Sequence, residues 1–116
     1  MRGATNYQLQ NLLTELEVTA RESRFWHRVV KDLKRPSRQR KTVNLYKIAR
    51  YARQGETILV PGKVLSVGEI TKPVEVAAIN FSAEAKKKIT AARGKAFSIK
   101  ELFQQNPQGK KVRILG

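Results

Sequence analysis

The sequence predicts an α/β protein, with N-terminal helices joined by a basic loop and then a smaller part of short strands and helices. Three observations predict it. Up to Gly55 the apolar residues recur at the three-and-four spacing of helix faces. Beyond Gly55 they come in short runs punctuated by Gly and Pro, which read as strands. The chain has 116 residues, 41% of them hydrophobic, which leaves room for one domain with a modest core.

Taken in order, Thr5 or Asn6 is positioned to cap a first helix running to about Ala20. Leu9, Leu12, Leu13, Leu16 and Ala20 share one face, with Gln8, Gln10 and Glu17 on the other; a leucine stripe of this kind packs on protein. Ser23 caps a second helix, Arg24 to about Lys34, which Pro36 ends. At about 100° per residue, Arg24, Arg28, Lys31 and Arg35 fall in a narrow arc. Phe25, Trp26, Val29 and Leu33 gather opposite, with Val30 at the edge. Basic stripes on helices are commonly just solvated faces. Here the stripe continues into a basic loop, which favours contact with a partner.

That loop, Lys34-Arg35-Pro36-Ser37-Arg38-Gln39-Arg40-Lys41, holds five cations and no apolar residue besides Pro36. Such a run also suits a targeting signal or a tether, but its short length between two amphipathic helices favours an arm anchored at both ends. Asn44 caps a third helix, Leu45 to about Arg53, with Leu45, Ile48, Ala49 and Ala52 inward and Gly55 as the stop. Lys47, Arg50 and Arg53 extend the basic surface. Tyr46 and Tyr51 are the residue type that stacks on bases, yet beside an apolar stripe tyrosines are more often half-buried packing, and that reading is preferred.

After Gly55, Thr57 to Val60 reads as a buried strand stopped by the turn Pro61-Gly62. Val64-Leu65 and Val74 to Ile79 read as further strands, separated by Gly68 and Lys72-Pro73. Ser82 caps a helix from Ala83 to about Arg93, with Ala85, Ile89 and Ala92 inward and Gly94 closing it. Lys86, Lys87 and Lys88 fan around the rest as a solvated surface. Ala96-Phe97 is a short strand, Ser98 and Glu101 have the spacing of a capping box, and a last helix ends before Asn106-Pro107. Val112 to Leu115 supplies a terminal strand.

Charge is the feature that bears on function. There are 24 Lys+Arg against 9 Asp+Glu, a formal net charge of +15. Such a chain repels itself, and a polyanion relieves that repulsion while releasing counterions. From Arg21 to Arg53 there are twelve bases and two acids, a net of +10, whereas Asn6 to Ala20 has two glutamates and no base. Arginine dominates the first block, and its planar fork suits phosphate oxygens; lysine dominates the later part. The candidate RNA-binding residues are Arg21, Arg24, Arg28, Lys31, Lys34, Arg35, Arg38, Arg40, Lys41, Lys47 and Arg50. Lys63 joins them as a cation following a tight turn, although Pro61-Gly62-Lys63 is equally a plain turn. Residues 1–54 are thus expected to be a helical, strongly basic RNA-contacting part, and 55–116 a small α/β part of the same single domain.

The inventory offers no catalytic chemistry. There is no cysteine, so disulfides and thiolate zinc sites are excluded. His27 is the sole histidine, without triad partners or metal-ligand spacing. The isolated glycines form no phosphate loop of the GxxxxGK[ST] kind. No apolar run approaches the roughly 20 residues of a membrane span, and no secretory signal follows Arg2. Neither an enzyme, a metal or cofactor site, a small-molecule substrate nor a membrane partner is expected, and the default location is intracellular.

The ordered motifs resemble the archaeal and eukaryotic large-subunit ribosomal protein family called eighteen-e, relatives of bacterial large-subunit protein fifteen. The resemblance rests on Thr5-Asn6 with the leucine helix, the Trp26 helix with its Arg/Lys loop, and Val43-Asn44-Leu45. It continues through Val60 to Leu65, Ala77-Ala78 leading to Phe81-Ser82, Asn106-Pro107 and Val112-Arg113-Ile114. Together these cover nearly the whole chain. The resemblance implies a cytoplasmic, ribosome-bound structural protein that binds ribosomal RNA and touches neighbouring ribosomal proteins. It also implies that the later part folds as a small irregular superhelix of strand-strand-helix units. The short length looks archaeal. Arg93-Gly94 departs from the paired glycines frequent in the family, and Gly109-Lys110-Lys111 adds cations. The alternative is a general nucleic-acid-binding, DNA-compacting protein, against which stands the lack of a helix-turn-helix signature or repeat. A protein-interaction adaptor using the leucine helix is a third.

Overall fold

A computed structural model describes residues 2–36 and 40–115. The elements are α1 (Arg2–Ala20), α2 (Arg24–Leu33), β1 (Lys41–Asn44), α3 (Leu45–Tyr51) and β2 (Thr57–Leu65). They continue with β3 (Glu75–Phe81), α4 (Ala83–Ala91), β4 (Lys95–Ser98), α5 (Ile99–Gln105) and β5 (Val112–Ile114). The chain divides into two compact units, residues 1–35 and 36–116.

The first unit is the helix pair. Ser23 accepts from the Trp26 N–H at 3.3 Å, as its cap position predicts. Trp26, Val29 and Leu33 are fully buried, Val30 nearly so, and Leu13 and Leu16 of α1 are buried as well. Phe25 meets Trp26 edge to face, the ring centroids 4.9 Å apart. Because α1 begins at Arg2, Thr5 and Asn6 lie within the helix and not at its N-cap position.

The second unit is a five-stranded sheet in the order β1-β2-β3-β4, with β5 also on β2 and all four pairings parallel among the described residues. The long strand β2 gives one edge to β3. Its other edge is shared end to end: Thr57, Ile58 and Leu59 pair with β5, and Gly62 to Leu65 pair with β1. Pro61-Gly62 therefore does not end the strand. It marks a register shift between Val60 and Lys63, a place where proline's missing donor is tolerated. Gly62 is needed for closeness, since a Cβ there would lie 1.8 Å from the Lys41 carbonyl oxygen. Lys41–Asn44, expected as the end of a loop and a helix cap, is a strand because β2 offers it an edge, a long-range pairing with no local signal.

Alternation in β2 feeds two cores. Ile58, Val60 and Val64 join Val43, Leu45, Ile48, Val76, Ala78, Ala85, Ile89 and Leu115 in one cluster, over which α3 and α4 pack. Leu59 and Ala77 are buried outside that cluster, as are Ile99 and Leu102 of α5, which packs on β3 and β4. The expected inward Ala49 is exposed, since α3 ends at Tyr51 and presents a narrower face. Ser82 caps α4 through the Ala85 N–H at 3.2 Å, and Ser98 with Glu101 forms the expected capping box. Asn44 sits at the N-cap of α3 without capping it. Its Oδ1 accepts instead from Val67 N at 3.3 Å, across the loop after β2.

Candidate nucleic-acid interface

On α2 the sequence pattern sets two faces: burial of Trp26, Val29 and Leu33 turns the candidates Arg24, Arg28 and Lys31 to water. With Arg21 and Arg35, both exposed, these cations line an open cleft of about 770 Å³ that also includes His27, Glu22 and Asp32. Asp32 is the shared ion-pair partner of Arg28 at 3.8 Å and Arg35 at 4.0 Å. Exposed contacts this long contribute little, so both guanidinium groups remain disposed toward an outside anion. Lys34 is different. Its ammonium lies 2.9 Å from Glu17 of α1, so part of its charge ties the two helices together.

The remaining candidates belong to the sheet unit, apart from Arg38, which lies outside the described residues. Lys41 is exposed at the start of β1 and Lys63 is exposed on β2, the neighbouring strand in the register Thr42↔Lys63. Arg50 is exposed on α3, its guanidinium 5.6 Å from the centre of the Tyr51 ring, within the range of a cation–π contact. Lys47 is half-buried. Arg40 is half-buried too, and its Nε–H is shut off from water with no partner among the described residues. A donor in that state costs about 1–3 kcal/mol unless a ligand accepts from it.

Two features escaped sequence reasoning. Lys88 is not one of three equivalent solvated lysines: its Nζ donates to the carbonyls of Ser66 and Gly68, each at 3.0 Å, and lies 3.5 Å from Glu69. It clamps the loop after β2, and only the approach of α4 to that loop reveals it. Tyr46, expected to be half-buried, is 59% exposed. The period of α3 placed it correctly off the apolar face, but nothing in the local sequence says that no neighbour covers it. No cluster of His, Cys, Asp or Glu able to hold a metal exists among the described residues, and none of their helices is long and apolar enough to cross a membrane.

A helix carrying arginines on one face and core on the other, and a small parallel sheet unit with further exposed cations, make this a basic α/β protein. Comparison with known proteins makes the class particular. The family described as "Ribosomal protein 60S L18 and 50S L18e" matches residues 4–116. The chain is 46% identical over 113 residues to the large ribosomal subunit protein eL18 of Methanoregula boonei, covering 96% of this chain and 93% of that one. It is 45% identical to the protein of that name from Methanopyrus kandleri, over 97% and 94% of the two chains. To that from Sulfolobus acidocaldarius it is 41% identical, over 98% and 97%. The chain belongs to this family of large-subunit ribosomal proteins, a structural class without catalytic activity, and its place is the ribosome in the cytoplasm.

Proposed function

We propose that the chain is a structural constituent of the large ribosomal subunit that binds ribosomal RNA, helps to hold the folded RNA in shape, touches neighbouring ribosomal proteins and catalyses nothing itself. The observation that carries this reading is the face of α2, where Arg24, Arg28 and Lys31 stand opposite a fully buried Trp26 and Leu33. In this reading residues 1–54 are the RNA-contacting part and 55–116 the supporting part of one domain. This functional division need not coincide with the packing division. Arg21, Arg24, Arg28, Lys31, Arg35, Arg38, Arg40, Lys41, Lys47, Arg50 and Lys63 make the contacts, with Lys34 shared between RNA and Glu17.

The test is binding to transcribed large-subunit ribosomal RNA across a salt series. If the basic segment neutralises about six to eight phosphates, log K falls with log salt at a slope of roughly −4 to −7, from about 0.7 to 0.9 counterions released per phosphate. A slope near zero removes phosphate contact as the source of affinity. Equal affinity for duplex DNA under the same conditions would favour the general nucleic-acid binder instead.

A further inference from the structure

Three of the four exposed large apolar side chains of the described residues, Tyr46, Tyr51 and Val67, belong to α3 and the loop beside it. That loop is built with unusual care. Tyr46 N donates to the Val67 carbonyl at 2.9 Å and Val67 N donates to Asn44 Oδ1 at 3.3 Å, so residue 67 is fastened to the β1–α3 junction through both backbone groups. Lys88 holds the carbonyls on either side of it. Gly68, at φ 111°, runs so close that a Cβ would lie 2.4 Å from Tyr46 N. The loop is therefore tied down by polar anchors, while Val67, 62% exposed, and the Tyr46 ring stay on the surface. Core packing does not account for that placement.

The rest of the same face is cationic. Arg50 follows Tyr46 at four residues, which puts the two on one side of the helix axis, over about 6 Å of rise; Arg53 follows just beyond the helix, after the extended Ala52. Both arginines are exposed. From Leu33 to Gly55 the sequence has no acid. Arg53 also opens onto a cavity of about 660 Å³ with Ala52, Ile70 and Val74 among its walls and Arg93 and Lys95 at its edge. An aromatic ring followed by arginines is the arrangement that grips unpaired nucleotides, because a duplex hides the faces of its bases and a single strand offers them.

We propose that the outward face of α3 and the loop beside it, Tyr46 and Val67 with Arg50, binds an unpaired stretch of RNA, with one base stacked on Tyr46 and a backbone phosphate on Arg50, the strand leading on toward Arg53 beyond the helix end. The proposal rests on the RNA-binding reading above and adds which form of RNA this face takes. Charge decides against an apolar protein patch as occupant, since it would leave Arg50 and Arg53 without an anion, and the exposed aromatic ring beside them suits a base.

The test uses the full chain, a short single-stranded oligouridylate carrying one fluorescent aminopurine, and a blunt RNA duplex of equal length. The protein should quench the aminopurine, as stacking does. Tyr46→Phe should keep the quench. Tyr46→Leu should lose it and weaken single-strand binding by about 5- to 150-fold, the range of ~1–3 kcal/mol for one base–aromatic stack, while duplex affinity stays within about twofold. A circular-dichroism melt matching the parent shows that the Leu variant folds. The proposal is overturned if Tyr46→Leu still quenches, or if it weakens duplex and single strand alike. It is also overturned if the duplex binds and the single strand does not, an outcome that leaves the RNA-binding reading standing and points this face toward protein. Loss of duplex binding in Arg24→Gln/Arg28→Gln, with the aminopurine signal intact, would show the two surfaces to be separate.

Discussion

Arg93 and Gly94 show how single residues close a helix here. Ala92 is the C-cap of α4, and Arg93 beyond it has φ 65°, in the left-handed region. Arg93 N donates to the Thr90 carbonyl and Gly94 N to that of Ile89, both at 2.9 Å, which is the paired pattern of a Schellman ending. The two positions make different demands. The first asks for a residue at ease with positive φ, which arginine is not. The second asks for the absence of a side chain, since a Cβ on Gly94 would lie 2.3 Å from the Val74 carbonyl oxygen. Paired glycines would satisfy both, and this chain satisfies only the second. Arg93→Gly is accordingly expected to raise stability by about 0.5–1 kcal/mol, relief of the left-handed strain outweighing the extra freedom of the unfolded chain. Gly94→Ala should lower it by about 1–3 kcal/mol, because backbone must move. Denaturant titration of the two variants checks the pair; the opposite signs would refute this account of the turn.

At the level of elements, α2 was readable because one helix holds both signals, an apolar arc and a cationic arc at the same period. Trp26→Ala should cost about 3–5 kcal/mol, the usual loss for a truncated buried aromatic, and Arg28→Ala less than about 0.5 kcal/mol, since its side chain is 68% exposed. RNA affinity should rank the other way once both variants are held below their melting temperatures. Thermal melts in which Arg28→Ala is the more damaging would overturn the assignment of faces. The capping serines were legible for the same reason: Ser23, Ser82 and Ser98 act on residues three positions away. Asn44 was not, because its partner Val67 is remote in sequence and the loop outbids the helix for its side chain. Nor was the continuity of β2. Pro61-Gly62 is a turn signal locally, and it becomes a bulge only because β1 and β3 hold the strand on both edges.

For the whole molecule, what matters is where cations reach as well as how many there are. Neutralising Arg38, Arg40 and Lys41 to Gln should weaken ribosomal RNA binding far more than neutralising Lys72, Lys86 and Lys87, though each change removes three charges. The first set continues the basic segment next to α2 in the chain. Within the second, Lys86 and Lys87 diverge by about 100° around α4. Lys88 is left out because it clamps the loop under Tyr46, so its loss would mix stability with binding. Equal losses in one buffer would mean that charge number alone governs affinity. The overall class was legible from that charge and from the change in apolar period at Gly55; the sheet order was not, since each parallel neighbour is fixed by contacts between distant segments. One of those contacts has a bearing on synthesis. The edge of β2 at Thr57, Ile58 and Leu59 is completed only by Val112, Arg113 and Ile114, so a nascent chain carries that edge open until its last strand emerges. During that interval the backbone groups of Thr57 and Leu59, which face this edge, are free to pair with any passing strand. The heavy positive charge of the chain, which keeps copies apart, is then a guard against self-association before assembly, in addition to the RNA-binding role proposed for it.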